Sequence, residues 1–506
     1  MNDRTQTSEP SHGVTLPAGE TGSSLFHRLL ADAAARFPAA LGNVRLSKSP
    51  KAFKHEYPKV LVRFEAARVA SPERAAIARF MVEALHAGLT FVGPEGTTPL
   101  ATYLASPHPT PVVFDHRSYA GRAGLRPGTS YGGKPYDGRA LMTVADDLKR
   151  SHHMTDAAVA ALGWVLDHAD QTGGVLDLRG QRFVLMGAGA ELAPTEMLLK
   201  GGATVLWIDV TPPKKSLLTN LDLAGKLVIP EGVGDILANP RGVKRAIEQF
   251  VAEGAGPVHL GLFAYAPGQG RELRLAAAMD AIARSLEPEL VSSIAMFVSP
   301  TVPAEVQPED VAYVATRGAA LPRWQRVLQL TGVLKTPGHY QGAASSIALA
   351  IVALQGPTYQ AAQYLAKMLS AEVYATQGLR FDGPPRPVTT SANVAGITNT
   401  KSLTHPLFQA GFIGAPSFSV RIFEPPTTRA LATLLVLHDL LNPAAPGHAS
   451  AAFESDAVET RALAARQIHG GCYTLPWSLE HTIRASAVLG LTKKPSLAVA
   501  LAKMRK

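Results

Sequence analysis

One segment near residue 360 combines side chains that could transfer a proton. Tyr359 and Lys367 are eight positions apart, about two turns of a helix, and therefore share one helical face. Tyr364 and Lys367 are one turn apart. A phenol in this setting can give a proton to an oxygen or an enolate, and a nearby ammonium lowers the pKa of the phenol. The alternative is that both tyrosines are partly buried helix aromatics with ordinary contacts.

A second stretch, residues 181–210, could bind a dinucleotide. An apolar run leads into the turn Gly187-Ala188-Gly189, and a second apolar run ends on Asp209, about 20 residues after the turn. Glycines let a backbone approach a pyrophosphate, and a carboxylate after the second strand can accept the ribose hydroxyls. The alternative is a purely structural turn, because Leu192 stands where the G-x-G-x-x-G pattern has its third glycine.

These residues need a sheet to position them, and the hydrophobic pattern predicts one. Apolar runs predict five strands, at 183–186, 203–208, 226–230, 257–264 and 291–298. Helical spacing between them predicts helices at 191–200, 242–253 and 272–286. This alternation indicates a parallel sheet with right-handed crossovers and a ligand at the carboxyl ends of the strands. The predicted fold is α/β, a doubly wound, Rossmann-like parallel sheet with additional helical regions at both termini.

Four regions are predicted along the chain. Residues 1–24 are polar and predicted as a flexible tail, followed by a mostly helical domain at 25–175. The Rossmann-like domain covers 176–400 with an insertion at 302–356, and 401–506 form a helical extension. In the terminal regions helices are predicted at 25–37, 71–89, 143–168, 428–441, 455–469 and 478–489, and the basic segment 48–59 is predicted as a solvated loop.

Three further groups of residues have side chains that can take part in catalysis or bind a metal. The insertion could form a lid over the substrate, with His339 or Tyr340 as alternative acids, or a helix and turn packed on the sheet. Adjacent histidines on a helix, such as His152 and His153, point about 100° apart, so no metal site is predicted. Cys472 is expected to be a buried structural residue.

Composition limits the classes of partner. Apolar residues make up 46% of the 506 residues, which is enough for a sizeable core. The net charge of +9 is spread along the chain, which favours an anionic small ligand and predicts no nucleic-acid partner. A single cysteine fits a reducing compartment. Because neither a signal peptide nor an apolar run of membrane-spanning length is present, we expect a cytoplasmic protein with no membrane span.

Three segments resemble the short-chain dehydrogenase/reductase family. The segment Gly234–Gly268, GDILANPRGVKRAIEQFVAEGAGPVHLGLFAYAPG, is similar to the family's third-strand Asp, the helix start after it, and the fourth strand. IAMFVSPT lies where the family's fifth strand ends on a serine. Residues 388–400, VTTSANVAGITNT, resemble the sixth strand and its V-N-x-x-x-P-G-x-x-x-T motif. The resemblance covers roughly residues 178–400.

The resemblance implies an atypical NAD(P)-binding protein of this family and assigns roles to individual residues. Asp235 would approach the adenine, and Ala264 and Tyr265 would lie near the cofactor ribose. Ser299 would be the analogue of the family's hydroxyl donor. The long interval from Tyr359 to Lys367 looks more like that of the related enoyl reductases than like Y-x-x-x-K, and the lysine would also hold the ribose.

The predicted function is that of an NAD(P)-dependent oxidoreductase acting on a carbonyl, alcohol or enoyl small molecule. An acyl or CoA-like carrier could present this substrate, and the protein could form a homo-oligomer. Asp209 would repel a 2′-phosphate and so favours NAD, whereas Lys214 and Lys215 could accept the phosphate of NADP. Two alternatives stay open: an S-adenosylmethionine-dependent methyltransferase, and a catalytically inactive nucleotide-binding sensor or scaffold.

Overall fold

The computed structural model of the chain describes residues 12–108, 110–266, 268, 270–335, 337–451 and 461–503. The strands are β1 (Gly13–Thr15), β2 (Thr90–Gly93), β3 (Gly96–Pro99), β4 (Phe114–Ser118), β5 (Gly128–Tyr131), β6 (Lys134–Asp137), β7 (Arg182–Met186), β8 (Thr204–Ile208), β9 (Lys226–Pro230), β10 (Val258–Leu262), β11 (Val291–Val298), β12 (Glu305–Val306), β13 (His339–Gln341), β14 (Ser346–Ala348) and β15 (Thr389–Val394).

The helices of the first half are α1 (Gly22–Arg36), α2 (Pro38–Leu41), α3 (Pro50–Ala70), α4 (Arg74–Ala87), α5 (Leu100–Ala105), α6 (Leu141–Arg150), α7 (Asp156–Asp170), α8 (Thr195–Lys200), α9 (Lys215–Leu218) and α10 (Pro240–Ala252). Those of the second half are α11 (Arg271–Ser285), α12 (Pro308–Ala319), α13 (Arg323–Leu330), α14 (Pro357–Gln363), α15 (Ser370–Thr376), α16 (Pro406–Gly414), α17 (Pro425–Leu441), α18 (Leu479–Lys493) and α19 (Pro495–Lys503). A π-helical segment, Tyr364–Leu369, joins α14 to α15. Among the described residues, no helix has both the length and the apolar character needed to cross a bilayer.

A seven-stranded, mostly parallel sheet organises this mixed α/β fold. Its strand order is β15-β11-β10-β7-β8-β9-β4, and only β4 at the edge is antiparallel to its neighbour. Successive strands β7, β8 and β9 extend the sheet in one direction, and β10, β11 and β15 extend it in the other. The order therefore reverses between β7 and β10.

The strands of the sheet are buried on both faces, which explains their nearly continuous apolar sequences. Along β7, Val184 and Met186 face one core while Phe183 and Leu185 face another. The first core is covered by α1, α3, α4, α10, α11, α14 and α15, and the second by α6, α7, α8 and α17. The N-terminal region, predicted as a domain, thus contributes helices to both faces of the sheet.

The insertion and the C-terminal region share a third core. Strands β12, β14 and β13 form a small antiparallel sheet inside the insertion. Its apolar residues pack with Phe418, Tyr473 and Trp477 from the C-terminal region. The insertion therefore contains a small sheet and the two helices α12 and α13. The alternative of a single helix with a turn, inferred from the sequence, is too simple.

The N-terminal residues differ from the predicted tail and loop. Residues 13–15 pair with β2, and Thr21 caps α1, while residues 1–11 lie outside the described part of the chain. The basic segment 48–59 is not a loop, because Ser49 accepts a hydrogen bond from the N–H of Ala52 and starts α3. Phe53 and Tyr57 anchor this helix in the first core. A three-residue strand is too short to show periodicity, and the exposed lysines of α3 hid its apolar face.

Two predicted helices also differ. The single helix predicted at 143–168 is two helices, α6 and α7, because the chain turns at 151–155 and Thr155 caps α7. Of the helix predicted at 455–469, residues 455–460 lie outside the described part of the chain, and residues 465–469 are not helical. Strands β9 and β11 coincide with their predicted ranges.

Candidate functional site

The glycine turn lies at the carboxyl end of β7, beside the point where the strand order reverses. Gly187 has φ +92°, and a Cβ at this position would overlap the backbone nitrogen of Ala264. The N–H of Ala264 donates to the carbonyl of Met186 at 2.8 Å, so the ends of β7 and β10 are in direct contact. Only glycine allows both this conformation and this approach. Gly189, two residues on, is exposed to solvent.

Asp209 holds the glycine turn in place. Its carboxylate accepts hydrogen bonds from the N–H of Gly189 at 2.9 Å and from the N–H and hydroxyl of Thr211 at 2.9 and 2.7 Å. A carboxylate offers about four acceptor positions, so one position remains for a further donor such as a ribose hydroxyl. Asp235 is exposed after β9 and accepts from the N–H groups of Leu237 and Ala238.

The segment that follows the turn is longer than predicted. Helix α8 begins at Thr195 instead of residue 191, and the Thr195 hydroxyl donates to the carbonyl of Ala188 at 2.6 Å. Glu191 lies in the irregular segment, and its carboxylate accepts from the N–H of Lys401 at 3.0 Å. The N–H groups of the turn are engaged within the protein, since those of Gly187 and Ala188 donate to the carbonyl of Ile208 and that of Gly189 donates to Asp209. Glu191 connects the turn to the chain beyond β15.

A cluster of hydroxyl groups lies at the carboxyl end of β11. Ser299 follows the last residue of β11, and its Oγ is 2.8 Å from Oγ1 of Thr301. Both side chains lower the pKa of Tyr359, so its hydroxyl lies beside theirs. The backbone N–H of Ser299 donates to Oε1 of Gln363 at 3.0 Å. The predicted residues Ser299 and Tyr359 are therefore brought together, although 60 positions separate them in the chain.

Gln363 connects these hydroxyls to a buried carboxylate. Its Nε2 donates to Oε1 of Glu272 at 2.7 Å. Desolvation raises the pKa of Glu272 to about 7, against the opposing effects of Lys367 and Gln363. Desolvation lowers the pKa of Lys367, and the charge of Glu272 opposes that change. Lys367 also donates to the carbonyl of Phe297 at 3.3 Å, which fixes its ammonium beneath the end of β11.

The pKa of Tyr359 is raised, first by desolvation and then by the negative charge of Glu272. Hydrogen bonds from Ser299 and Thr301 act in the opposite direction. This shift is opposite to the lowering expected from a nearby ammonium, because Lys367 is not among the groups that act on this pKa. The phenol is protonated at neutral pH and can donate a proton, as a weaker acid than a free phenol. The group as a whole therefore contains a proton donor, an ammonium and a carboxyl that titrates near neutrality.

Tyr265 lies between the turn and the hydroxyl cluster. Its side chain is 42% exposed, and desolvation together with Glu272 raises its pKa to about 12. A hydrogen bond with Ser402 has the opposite effect on this pKa. Ala264 contacts Gly187, and the charge of Glu272 acts on the pKa of Tyr265. The residues that follow β10 therefore border both the glycine turn and the hydroxyl cluster.

Tyr364 is not part of this group. Its side chain is fully buried, and its hydroxyl donates to Oε2 of Glu65 at 2.5 Å. The π-helical segment begins at Tyr364, so the interval to Lys367 does not follow the α-helical spacing assumed from the sequence. Tyr364 instead belongs to a buried ion cluster with Arg68 and Glu372.

The other candidates have backbone partners or are exposed to solvent. His339 is buried, and its Nε2 hydrogen-bonds to the carbonyl of Tyr473 at 2.5 Å, whereas Tyr340 is 37% exposed. Cys472 is buried, and desolvation raises the pKa of its thiol, whose Sγ donates to the carbonyl of His469. Within the described part of the chain, the hydrogen-bond partners of this thiol are the backbone carbonyls of Pro300 and His469, neither of which is a base that could activate it.

Three residues of the site were not predicted: Glu272, Thr301 and Gln363. Gln363 is four residues from both Tyr359 and Lys367, so helical spacing could have placed it on their face. Glu272 lies in the first turn of the helix after β10, at the edge where strand ends converge. Thr301 is two residues beyond Ser299, and nothing in the sequence separates it from ordinary loop threonines.

Comparison with known proteins adds no further constraint on these residues, because no protein-family model, curated protein or solved structure matches the chain.

Proposed function

We propose that the protein is an NAD(P)-dependent oxidoreductase of the short-chain dehydrogenase/reductase type. The observation that carries the proposal is the joining of the Tyr359, Ser299 and Thr301 hydroxyls at the end of β11, with Lys367 and Glu272 beside them. This group borders the glycine turn through the end of β10. A proton donor next to a dinucleotide-type turn is the arrangement that reduction of a carbonyl needs.

The strand order supports a Rossmann-like, doubly wound architecture for this proposal. Numbered from β7, the order β9-β8-β7-β10-β11-β15 corresponds to the 3-2-1-4-5-6 order of dinucleotide-binding sheets. The glycine turn follows the first strand of that order, and Asp209 follows the second. Ligands of such sheets bind at the reversal point, which here lies between Gly187 and Ala264.

The residues of the turn fit a dinucleotide. A pyrophosphate would approach the backbone just beyond the exposed Gly189, because the N–H groups of residues 187–190 already donate to acceptors within the protein. The free acceptor position of Asp209 would take a ribose hydroxyl. Asp209 favours NAD over NADP, and the exposed Lys214 and Lys215 are the cations nearest in sequence that could reduce this preference. When bound, the nicotinamide ring would supply or accept the hydride.

The chain's own residues provide the proton and position the substrate. The Tyr359 hydroxyl would give its proton to the substrate oxygen, while Ser299 and Thr301 orient that hydroxyl. The ammonium of Lys367 would offset the negative charge of Glu272, which opposes ionisation of the phenol. Glu272 could then return a proton to the group, because its pKa of about 7 allows it to exchange protons with solvent at neutral pH.

Ligand binding followed by turnover tests the proposal. We expect the protein to bind NADH more tightly than NADPH and not to bind S-adenosylmethionine, as measured by isothermal titration calorimetry. With NADH bound, it should reduce members of a panel of ketones and enals. Binding of S-adenosylmethionine alone would instead indicate a methyltransferase, and NADH binding with no turnover over the whole panel would indicate a sensor or scaffold.

A further inference from the structure

Helix α13 and the turn after it expose large apolar side chains. Trp324 is 41% exposed, Val327 55%, Leu330 87% and Val333 44%. The buried side of the same segment is fixed to the protein, since Gln325 donates to the carbonyl of Ser417 at 2.9 Å and Trp324 packs against the ring of Phe418. Four large apolar side chains exposed within ten positions are typical of a surface that binds a protein or a membrane.

Basic side chains flank these apolar residues. Arg323, Arg326 and Lys335 are exposed, and none of them forms an ion pair within the part of the chain that the structure describes. Residues 311–371 contain no aspartate or glutamate. The surface made by Trp324, Val327, Leu330 and Val333 with these three cations, called the α13 surface below, is therefore apolar at its centre and positive at its edge.

This pattern distinguishes between possible occupants. A protein partner of ordinary size needs an interface of about 800 Å² on each side with complementary shape, and pockets for its anchors. The apolar residues of the α13 surface instead project into solvent, up to the nearly complete exposure of Leu330. Projecting Trp, Leu and Val side chains with arginines beside them match a lipid interface, where apolar groups insert and guanidinium groups meet phosphate.

We propose that the α13 surface binds the protein reversibly to membranes rich in anionic lipid. Leu330, Val327 and Trp324 would enter the boundary between head groups and acyl chains, while Arg323, Arg326 and Lys335 contact lipid phosphates. The attachment is peripheral and independent of the proposed oxidoreductase activity.

Co-sedimentation with vesicles tests this proposal on the full chain. We compare vesicles of phosphatidylcholine with vesicles of an equal mixture of phosphatidylcholine and phosphatidylserine. We expect binding only to the mixture, and weaker binding as salt rises from about 0.1 M to about 1 M, which shortens the screening length. Leu330→Ser should lower the partition coefficient about tenfold, because it removes one inserted side chain. The double variant Arg323→Glu/Arg326→Glu should remove the preference for anionic vesicles.

Matched variants elsewhere on the surface serve as controls. Leu221 is 89% exposed, so Leu221→Ser makes the same chemical change away from α13 and should leave binding unchanged. Arg45→Glu/Lys51→Glu makes the same change in net charge at two other exposed positions. Equal binding to both vesicle types, no binding to either, or equal losses in Leu221→Ser and Leu330→Ser would overturn the proposal. A dimer in light scattering that Leu330→Ser dissociates would assign the surface to a second copy of the chain instead.

Discussion

Replacing Glu272 by glutamine should change how the stability of the protein depends on pH. In the unfolded chain this carboxyl ionises near its ordinary pKa of 4.5, whereas in the folded protein desolvation raises its pKa to about 7. Between these two values the folded state holds more protons than the unfolded state, so the free energy of unfolding falls as pH rises. At about 1.4 kcal/mol for each tenfold change in proton affinity, the loss between pH 4.5 and pH 8 is about 3 kcal/mol.

The contribution of Glu272 is obtained as the difference in free energy of unfolding between the wild type and Glu272→Gln. His153 and His438 are buried and His259 is partly buried, and the pKa of each is lowered from 6.5 to about 4, chiefly by desolvation. They make stability rise with pH between these two values. Glu272→Gln leaves these histidines in place and can keep the hydrogen bond from Gln363, because glutamine still offers an Oε1 acceptor. Subtracting the profile of the variant from that of the wild type therefore isolates the carboxyl of Glu272.

Urea unfolding at pH 4.5 and pH 8 provides the measurement. Relative to the wild type, Glu272→Gln should become more stable by about 3 kcal/mol on going from the lower to the higher pH. Glu231→Gln, at an exposed position, is the matched control and should run parallel to the wild type. If the difference between Glu272→Gln and the wild type is the same at both pH values, Glu272 does not titrate near neutrality and cannot be the proton-exchanging group of the site.

Four further substitutions test other parts of the site. Tyr359→Phe should lower kcat for carbonyl reduction by about 10²–10⁴-fold with an unchanged Kd for NADH, because it removes only the proton donor; equal kcat values would contradict this role. Tyr364→Phe should leave kcat unchanged but lower the free energy of unfolding by about 1–3 kcal/mol, because it removes a hydrogen-bond partner of the buried Glu65. Gly187→Ala should destabilise the protein by more than about 1 kcal/mol, since its Cβ would overlap Ala264 at a positive φ, and a thermal melt equal to that of the wild type would refute this contact. Asp209→Asn should lower the ratio of NADH to NADPH affinity by about tenfold, the change expected from one like-charge contact, and a ratio that calorimetry finds unchanged would place the 2′-hydroxyl elsewhere.

The strands and the glycine turn could be predicted because local sequence determines them. Strands β9 and β11 have their predicted ranges, since a strand buried on both faces shows as an unbroken apolar run. The interval from the glycine turn to Asp209 placed these residues at the ends of adjacent strands, where the structure joins them by the hydrogen bond from Gly189. The local sequence was sufficient to predict these strands because burial on both faces alone determines their composition.

The helix that carries Tyr359 shows where such reasoning fails. Its α-helical turns give way to a π-helical segment at Tyr364, and a period of 3.6 residues cannot detect that change. Tyr364 accordingly turns into the core, where its hydroxyl donates a hydrogen bond to Glu65 of α3. No local pattern predicts a partner about 300 residues away in the chain. The same holds for Glu272, whose importance depends on burial by distant segments and on Gln363.

Gln363 explains how the two parts of the site can work as one. Its side-chain amide accepts from the N–H of Ser299 after β11 and donates to Glu272 at the start of α11, so it fixes the hydroxyl cluster relative to that helix. Helix α11 follows β10, whose end contacts Gly187 through the backbone of Ala264. The glycine turn is thus attached to the end of β10 and the hydroxyl cluster to α11, and β10 and α11 pack in the same core. Because these contacts are buried, a ligand on the turn would meet hydroxyls whose distance from it is set before binding.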